Sequence, residues 1–520
     1  MDKIKVGIQN SVMAFDDAFF GKKKMRRTGT CVDIDTQDGE LTVKELKSII
    51  DDFKIDFYVH HTFPSDDAVI DFLDKVKELN VPFIIGNEFG NISGPYAEGT
   101  NRYDVDLTKT KGLDANFMGL LYDEPEHLQI HPTVYKKEGP KYKHWVTEGV
   151  YSSYDAEKSI EMEMNKLVKK SNCDIFDENV FPVLNFISAR AGINLCPKIL
   201  KEHFQTIQLA ICMGAAKEYG RKLGVCIDLW GMDIGPWFTR NWGFPGHSPE
   251  EFESALNLAY YLSPEFMFVE NMDILVKRNN GNIEKTEYGK ILKKFISSKK
   301  QELPYKYSDI ICKIAVIHGD NGIISKQKKF LYGIEGLEAC TSDYDLINIM
   351  HALNHCTTSK QALTQHFSEV TDFPRFKAKV KYPNINQFPL NHGFESECET
   401  FNHTLFHACN SVLVFDQKVD YDCIKESELV IFGGSFYEKK TIETLKECVR
   451  NGKKVLCNSV CADLVPGCIK IDDFENEKFY KEIEGYIGSP DEWVISFKNS
   501  KLKITCQENN KNKLLFRIEE

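Results

Sequence analysis

The residues able to do chemistry gather at the ends of short apolar runs. The run 117–122 (FMGLLY) ends in Asp123-Glu124-Pro125-Glu126-His127. Neighbours on a strand face opposite ways, so only one of Asp123 and Glu124 can face the interior of a sheet structure at full reach. A second carboxylate, Glu270, follows the run 265–269 (EFMFV). Two carboxyls across one mouth suit glycosidic bond cleavage, one protonating the leaving oxygen while the other attacks or activates water. Other run ends carry His60-His61, Asn87-Glu88, Asn185 with Ser188 and Arg190, and Asp228-Leu229-Trp230. Trp230, Trp237 and Trp242 share a Gly- and Pro-rich stretch that reads as a loop. Their flat faces match the C–H faces of sugars. Arg190 and Arg240 could hold an acidic group by paired hydrogen bonds, or serve structural ion pairs.

A metal-dependent hydrolase is the rival chemistry, with His60 or His61 joining Glu88 and Asp123. Adjacent strand residues diverge, and neither HxH nor HExxH occurs, so no metal or other cofactor is expected. A non-catalytic carbohydrate-binding protein is the second rival. Phe432-Gly433-Gly434-Ser435 lacks the G-x-S-x-G of a nucleophile turn and reads as a tight loop.

The elements that must position these groups alternate. Strand-like runs fall at 4–9, 56–62, 82–87, 117–122, 181–187, 223–229 and 265–269. Helical patterns lie between them at 42–53, 66–79, 154–170, 198–220 and 248–261. Near-continuous apolar strands imply a parallel sheet buried on both faces. The expected fold class is α/β, a (β/α)8 TIM barrel over 1–308. Its eighth strand is placed at 314–319 or within 28–35, which leaves open whether Glu270 ends strand seven or eight. No GxGxxG follows the first strand, which weakens a dinucleotide reading.

A second α/β unit is expected over 309–475, with strands at 313–319, 411–416, 428–435 and 453–459 and a largely helical insertion at about 320–400. Residues 476–520 read as a small β tail. The 520 residues carry a net charge of −12, which weighs against a nucleic-acid partner. No stretch approaches 18 apolar residues, so no membrane partner is expected. The opening run MDKIKVGIQN lacks a leader's apolar core, and a cytoplasmic location follows as the expectation. The 16 cysteines are scattered without a CxxC. Cys457 and Cys461 come nearest to one and have no matching second pair, so structural thiols are expected.

The strand-four acids of Asp123-Glu124-Pro125, together with Glu270, resemble the large retaining glycosidase clan of (β/α)8 enzymes. The resemblance implies Glu124 as general acid/base, with Asp123 where the clan has Asn. It implies Glu270 as nucleophile if it ends strand seven; if it ends strand eight, Asp228 becomes the rival. Residues Asp420 to Asn458 (DYDCIKESELVIFGGSFYEKKTIETLKECVRNGKKVLCN) are similar to the glutamine-amidotransferase-like domain of multidomain β-galactosidases. This implies a flavodoxin/amidotransferase-like second domain without amidotransferase chemistry, and a homo-oligomer, dimer or trimer. Under this reading Asp123, Asn185 and Asp228 bind hydroxyls or orient the acids. His60, Glu88, Trp230 and Trp237 line the pocket, and a short oligosaccharide or glycoside is the substrate.

Overall fold

The structure is a computed structural model. It describes residues 3–9, 43–62, 73, 76–88, 116–123, 125, 152–171, 173–179, 184–199, 205–228, 249–270, 272–279, 282–299, 302–318, 325–326, 334–338, 340–357, 379–380, 394–395 and 406–520.

The first unit is a ring of parallel strands. It comprises β1 (Lys5–Gln9), β2 (Phe57–Thr62), β3 (Phe83–Glu88), β4 (Phe117–Asp123), β5 (Ile175–Glu178), β7 (Gly224–Ile227) and β8 (Phe266–Val269). Between β5 and β7 runs β6, in two short pieces, Asn194–Leu195 and Lys198–Ile199, separated by Cys196-Pro197. The first piece pairs with β5 and the second with β7, while β8 pairs with β1. The ladder therefore returns on itself through eight strand positions, the arrangement of a TIM-type barrel.

Two expected strands are corrected. Residues 184–187 do not form one: Leu184 takes a left-handed φ of 65° and a helix, α3, occupies Asn185–Ala191, while 181–183 lie outside the described residues. The apolar run FPVLNFI is long enough for a strand, but periodicity alone does not separate a short buried helix from a strand. The fifth strand is Ile175–Glu178 instead. Residues 314–317 belong to the second sheet, and 28–35 lie outside the described residues. Asp228 therefore follows the seventh strand and Glu270 the eighth.

The intervening helices show why they form. α1 (Val43–Phe53) buries Leu46, Ile49, Ile50 and Phe53 along one stripe. α2 (Ser153–Lys170) starts where the Ser152 side chain accepts the Asp155 N–H at 3.1 Å, and ends with Lys169 and Lys170 in its last turn. α5 (Pro249–Tyr261) begins with Pro at its first position and Glu250 and Glu251 in its first turn. α4 (Gln205–Tyr219) differs, being buried without interruption from Thr206 to Ala216. It lies between the barrel and a second sheet, so apolar residues surround it. Gly214 is needed there: a Cβ would stand 1.8 Å from the Val414 carbonyl oxygen.

The second sheet has five parallel strands: β9 (Ile314–Ile317), β10 (Val412–Phe415), β11 (Leu429–Phe432), β12 (Lys454–Asn458) and β13 (Ile469–Ile471). Their spatial order is β10-β9-β11-β12-β13. Residues 320–400 are described only in part, including a helix over Asp345–Leu353. An antiparallel meander closes the described chain: β14 (Trp493–Phe497), β15 (Ser500–Gln507) and β16 (Asn510–Glu519). It braces both units. Phe516 stacks on Tyr261 of α5 at 5.0 Å, and the Ser411 N–H, ahead of β10, donates to the Val494 carbonyl.

Candidate active site

Side-chain alternation sorts the ring into an inner and an outer face. Phe57, Val59, Ile84, Leu121, Phe176, Cys196, Cys226, Phe266 and Phe268 form one cluster, which fills the interior. Val6, Ile8, Tyr58, Ile85, Tyr122, Val225 and Val269 pack outward against the helices. Above the apolar inner layers, at the strands' C-terminal ends, the interior turns polar. Asp123, Glu178, Lys198, Asp228 and Glu270 meet there, all buried.

Lys198 is the centre. Its Nζ lies 2.8 Å from Glu270 Oε2, 2.9 Å from Asp123 Oδ1, 3.4 Å from Asp228 Oδ2 and 3.5 Å from Glu178 Oε1. One ammonium thus faces four carboxyls supplied by β4, β5, β7 and β8. The four carboxyls outnumber the single ammonium in a layer closed to water. The Cys226 thiol lies 3.7 Å from Glu270 Oε2, and burial, with the nearby Glu178 and Glu270 charges, pushes it well up, so it stays protonated. Glu178, Cys226 and Glu270 each offer an atom within 4.8 Å of the others. A cation bound there would share Glu178 and Glu270 with the Lys198 ammonium.

A bulge turns Asp123 into this layer. Phe83 pairs with Phe117 but Ile84 pairs with Gly119, so β4 carries one extra residue. Gly119 has φ 137°, and a Cβ would lie 2.5 Å from the Asp174 carbonyl oxygen. Beyond the bulge Leu121 points inward, Tyr122 outward, and Asp123 inward onto Lys198.

Of the residues expected from sequence, Asp123, Asp228 and Glu270 come together. His60 does not join them. It shares the outer face with Tyr58, whose hydroxyl lies 3.2 Å from His60 Nδ1, and burial holds its imidazole well below the usual range, hence neutral. Asn185 sits on α3 behind β5, where its Oδ1 accepts from Asn179 Nδ2 at 3.0 Å and from Cys212 Sγ at 3.2 Å. Arg190, at the far end of α3, is taken up by Glu161 at 3.0 Å, Asp416 at 2.5 Å and Glu157. It joins the barrel to the second sheet, and this departs from the expected sugar contact. The Glu88 backbone pairs with Asp123 at the strand ends; its side chain lies outside the described residues, as do Glu124, Trp230 and Trp237.

Sequence reasoning missed Glu178 and Lys198. Glu178 ends IFDE, a strand of four residues with two acids. Lys198 lies in INLCPKIL, where Pro197 argues against a strand. A lysine inside an apolar run is the signal that was available, since buried lysines require partners. Asp177, beside Glu178 but facing outward, is held by the Ser188 hydroxyl and by Asn179 Nδ2 at 3.3 Å, yet burial pushes its carboxyl up to about 7.

Among solved structures, an exo-beta-1,4-mannosidase from Opitutaceae bacterium strain TAV5 aligns at TM-score 0.46 and 9% identity, covering 99% of this chain and 86% of that one. A trehalose-6-phosphate hydrolase from Bacillus licheniformis aligns at TM-score 0.30 and 10% identity, covering 71% of this chain and 83% of that one. No protein-family model matches the chain, and no curated protein matches it in sequence.

Proposed function

We propose that the barrel is a glycoside hydrolase acting on a short oligosaccharide or glycoside. The observation that carries this reading is the buried layer in which four carboxyls at strand ends share one ammonium. Glycosidic cleavage needs one carboxyl ionised and one protonated, a short distance apart. Glu270, after the eighth strand, is the proposed nucleophile and Asp228, after the seventh, its rival; the Lys198 ammonium stands 2.8 Å from Glu270 and 3.4 Å from Asp228. Glu178, at 3.5 Å, is farthest from that charge and is the proposed proton carrier, with Glu124 the alternative. Oxygens of Glu178 and Glu270 approach within 4.8 Å. That supports a retaining course, for which carboxyls stand about 5 Å apart rather than the wider gap of inverting enzymes. Asp123 and Asp228 are proposed to bind sugar hydroxyls, and Trp230, Trp237 and Glu88 to complete the pocket.

The second unit is proposed as a flavodoxin/amidotransferase-like domain over 309–475, followed by the tail 476–520. Its strand order, with the second strand outside the first and the rest following on the other side, supports that classification. Self-association as a dimer or trimer and a cytoplasmic location are part of the same proposal.

The test is hydrolysis of a panel of aryl glycosides by wild type, Glu270→Gln, Glu178→Gln and Glu124→Gln. Glu270→Gln should lose activity on every reactive glycoside. The acid/base variant should lose about 10²–10⁴-fold on poor leaving groups and much less on activated ones. Full activity in Glu270→Gln would overturn the assignment.

A further inference from the structure

We propose that Asp416, at the end of β10 in the second sheet, is a positioning residue for Glu178 and Lys198 of the barrel, acting through Arg190 and α3. The role of Glu178 as proton carrier rests on the glycosidase reading above; the contacts do not. α3 belongs to the segment that joins the strand of Glu178 to the strand of Lys198. It has seven residues, and Leu184 ahead of it, in the left-handed region, supplies no side-chain cap. Helices shorter than about 12 residues are marginal alone, so contacts with its neighbours set where α3 lies.

One set of contacts faces the barrel. The Ser188 hydroxyl donates to Asp177 Oδ2, and Asn185 Oδ1 accepts from Asn179 Nδ2 at 3.0 Å. Asp177 and Asn179 flank Glu178, and their carbonyls accept the N–H groups of Cys196 at 2.9 Å and of Lys198 at 3.1 Å. α3 thus holds the two residues that bracket Glu178, and these hold the backbone of Lys198 in turn. The separation of 3.5 Å between Lys198 Nζ and Glu178 Oε1 depends on that frame.

The other set is made by Arg190, at the far end of α3. Its three nitrogens reach three carboxyls: Nη1 donates to Asp416 at 2.5 Å, Nε to Glu161 at 3.0 Å, and Nη2 to Glu157. The two glutamates lie on α2, whereas Asp416 comes from the second sheet. The Arg190 and Asp416 side chains are buried. A planar guanidinium bound through all three nitrogens has one orientation. Asp416 is itself fixed. Its Oδ2 also accepts from the Tyr219 hydroxyl at 2.6 Å, its Oδ1 accepts the Lys418 N–H at 2.6 Å, and its own N–H donates to Glu218 Oε2 at 3.2 Å. The second unit therefore anchors a run of contacts that ends at the neighbours of Glu178. Neutralising Asp416 leaves a buried guanidinium short of a partner and loosens the far end of α3.

The test compares Asp416→Asn with Leu445→Ala in the full chain. Leu445 is buried in the helix Lys439–Arg450, so its truncation weakens the second unit away from Arg190. Asp416→Asn should speed hydrogen–deuterium exchange within 184–199 at least about tenfold, whereas Leu445→Ala should speed it only within 429–458. On an aryl glycoside that wild type hydrolyses, Asp416→Asn should lower kcat about 10–100-fold with KM nearly unchanged, and Leu445→Ala should leave kcat as it is. The limb of the kcat pH profile set by the proton carrier should shift in Asp416→Asn alone. Tyr219→Phe removes one donor to Asp416; it should show the same changes at smaller size, and replaces Asp416→Asn if that variant does not fold. Unchanged exchange within 184–199 overturns the proposal, with or without turnover. So does faster exchange with kcat unchanged. Faster exchange in a protein whose wild type hydrolyses no glycoside supports the positioning and strikes the glycosidase reading instead.

Discussion

Replacing Lys198 with Met removes the one ammonium that faces Asp123, Glu178, Asp228 and Glu270 and leaves a side chain of similar length. Its hydrogen bond to Glu270 Oε2 is 2.8 Å long, Asp123 Oδ1 stands 2.9 Å away as an ion pair, and all four carboxyls are buried. Unit charges 4 Å apart interact by about 4 kcal/mol at an effective dielectric constant of about 20, and these contacts are shorter. Desolvation of the ammonium offsets much of that gain, and breaking a buried pair costs a net of about 3–5 kcal/mol. At about 2 °C per kcal/mol for a large domain, the variant should melt about 6–10 °C below wild type near neutral pH. Urea midpoints of wild type and variant at pH 8 measure that cost directly. A gap below about 1 kcal/mol would show that Lys198 does not balance the acids and would refute the argument.

Two further perturbations test the packing around this layer. Asp177, pushed up to about 7 by burial, keeps its proton in the folded state where the unfolded chain has lost it. Its contribution is therefore fully present below the usual carboxylate value and is lost as pH rises to about 7; Asp177→Asn should flatten the wild-type fall in urea midpoint across that window. Gly214→Ala drives a methyl against the Val414 carbonyl oxygen and should cost about 1–3 kcal/mol in chemical unfolding, whereas Gly485→Ala, with open space around it, should cost little.

Most of the ring was legible because its strands are short, nearly continuous apolar runs, and β1, β2, β3, β4, β7 and β8 fall where such runs stand. β5 and β6 were not. In IFDE the inward and outward faces both end in acids, so hydrophobic pattern stops marking the strand. In β6 a proline interrupts the pairing, and the residue that matters most, Lys198, looks out of place until its four partners surround it. The side on which Asp123 stands was not legible by parity. Counted by strict alternation from the outward Phe117, Asp123 would face the helices. The extra residue at Gly119 reverses this, and a bulge in one strand is fixed by contacts with its neighbours, here the Asp174 carbonyl. His60 fell on the outer face because Tyr58 did, and one sequence does not say which of two adjacent histidines takes which side. The segment TIQLAICMGAA was legible as helical, but not as the layer shared by two units.

The meander gives the chain an order of assembly. β16 runs over α5, where Leu514 N–H donates to Ser254 Oγ at 3.0 Å and Phe516 covers Tyr261. β8, which closes the ring against β1, follows α5 directly. A growing chain emerging from the ribosome at about 5–20 residues per second reaches β8 well before β16. For the roughly quarter to three quarters of a minute that the intervening 240 or so residues take at the fast and slow ends of that range, α5 presents an uncovered aromatic face. The barrel thus waits on a segment made long after its own strands, and early folding in the cell must shield that face until β16 arrives.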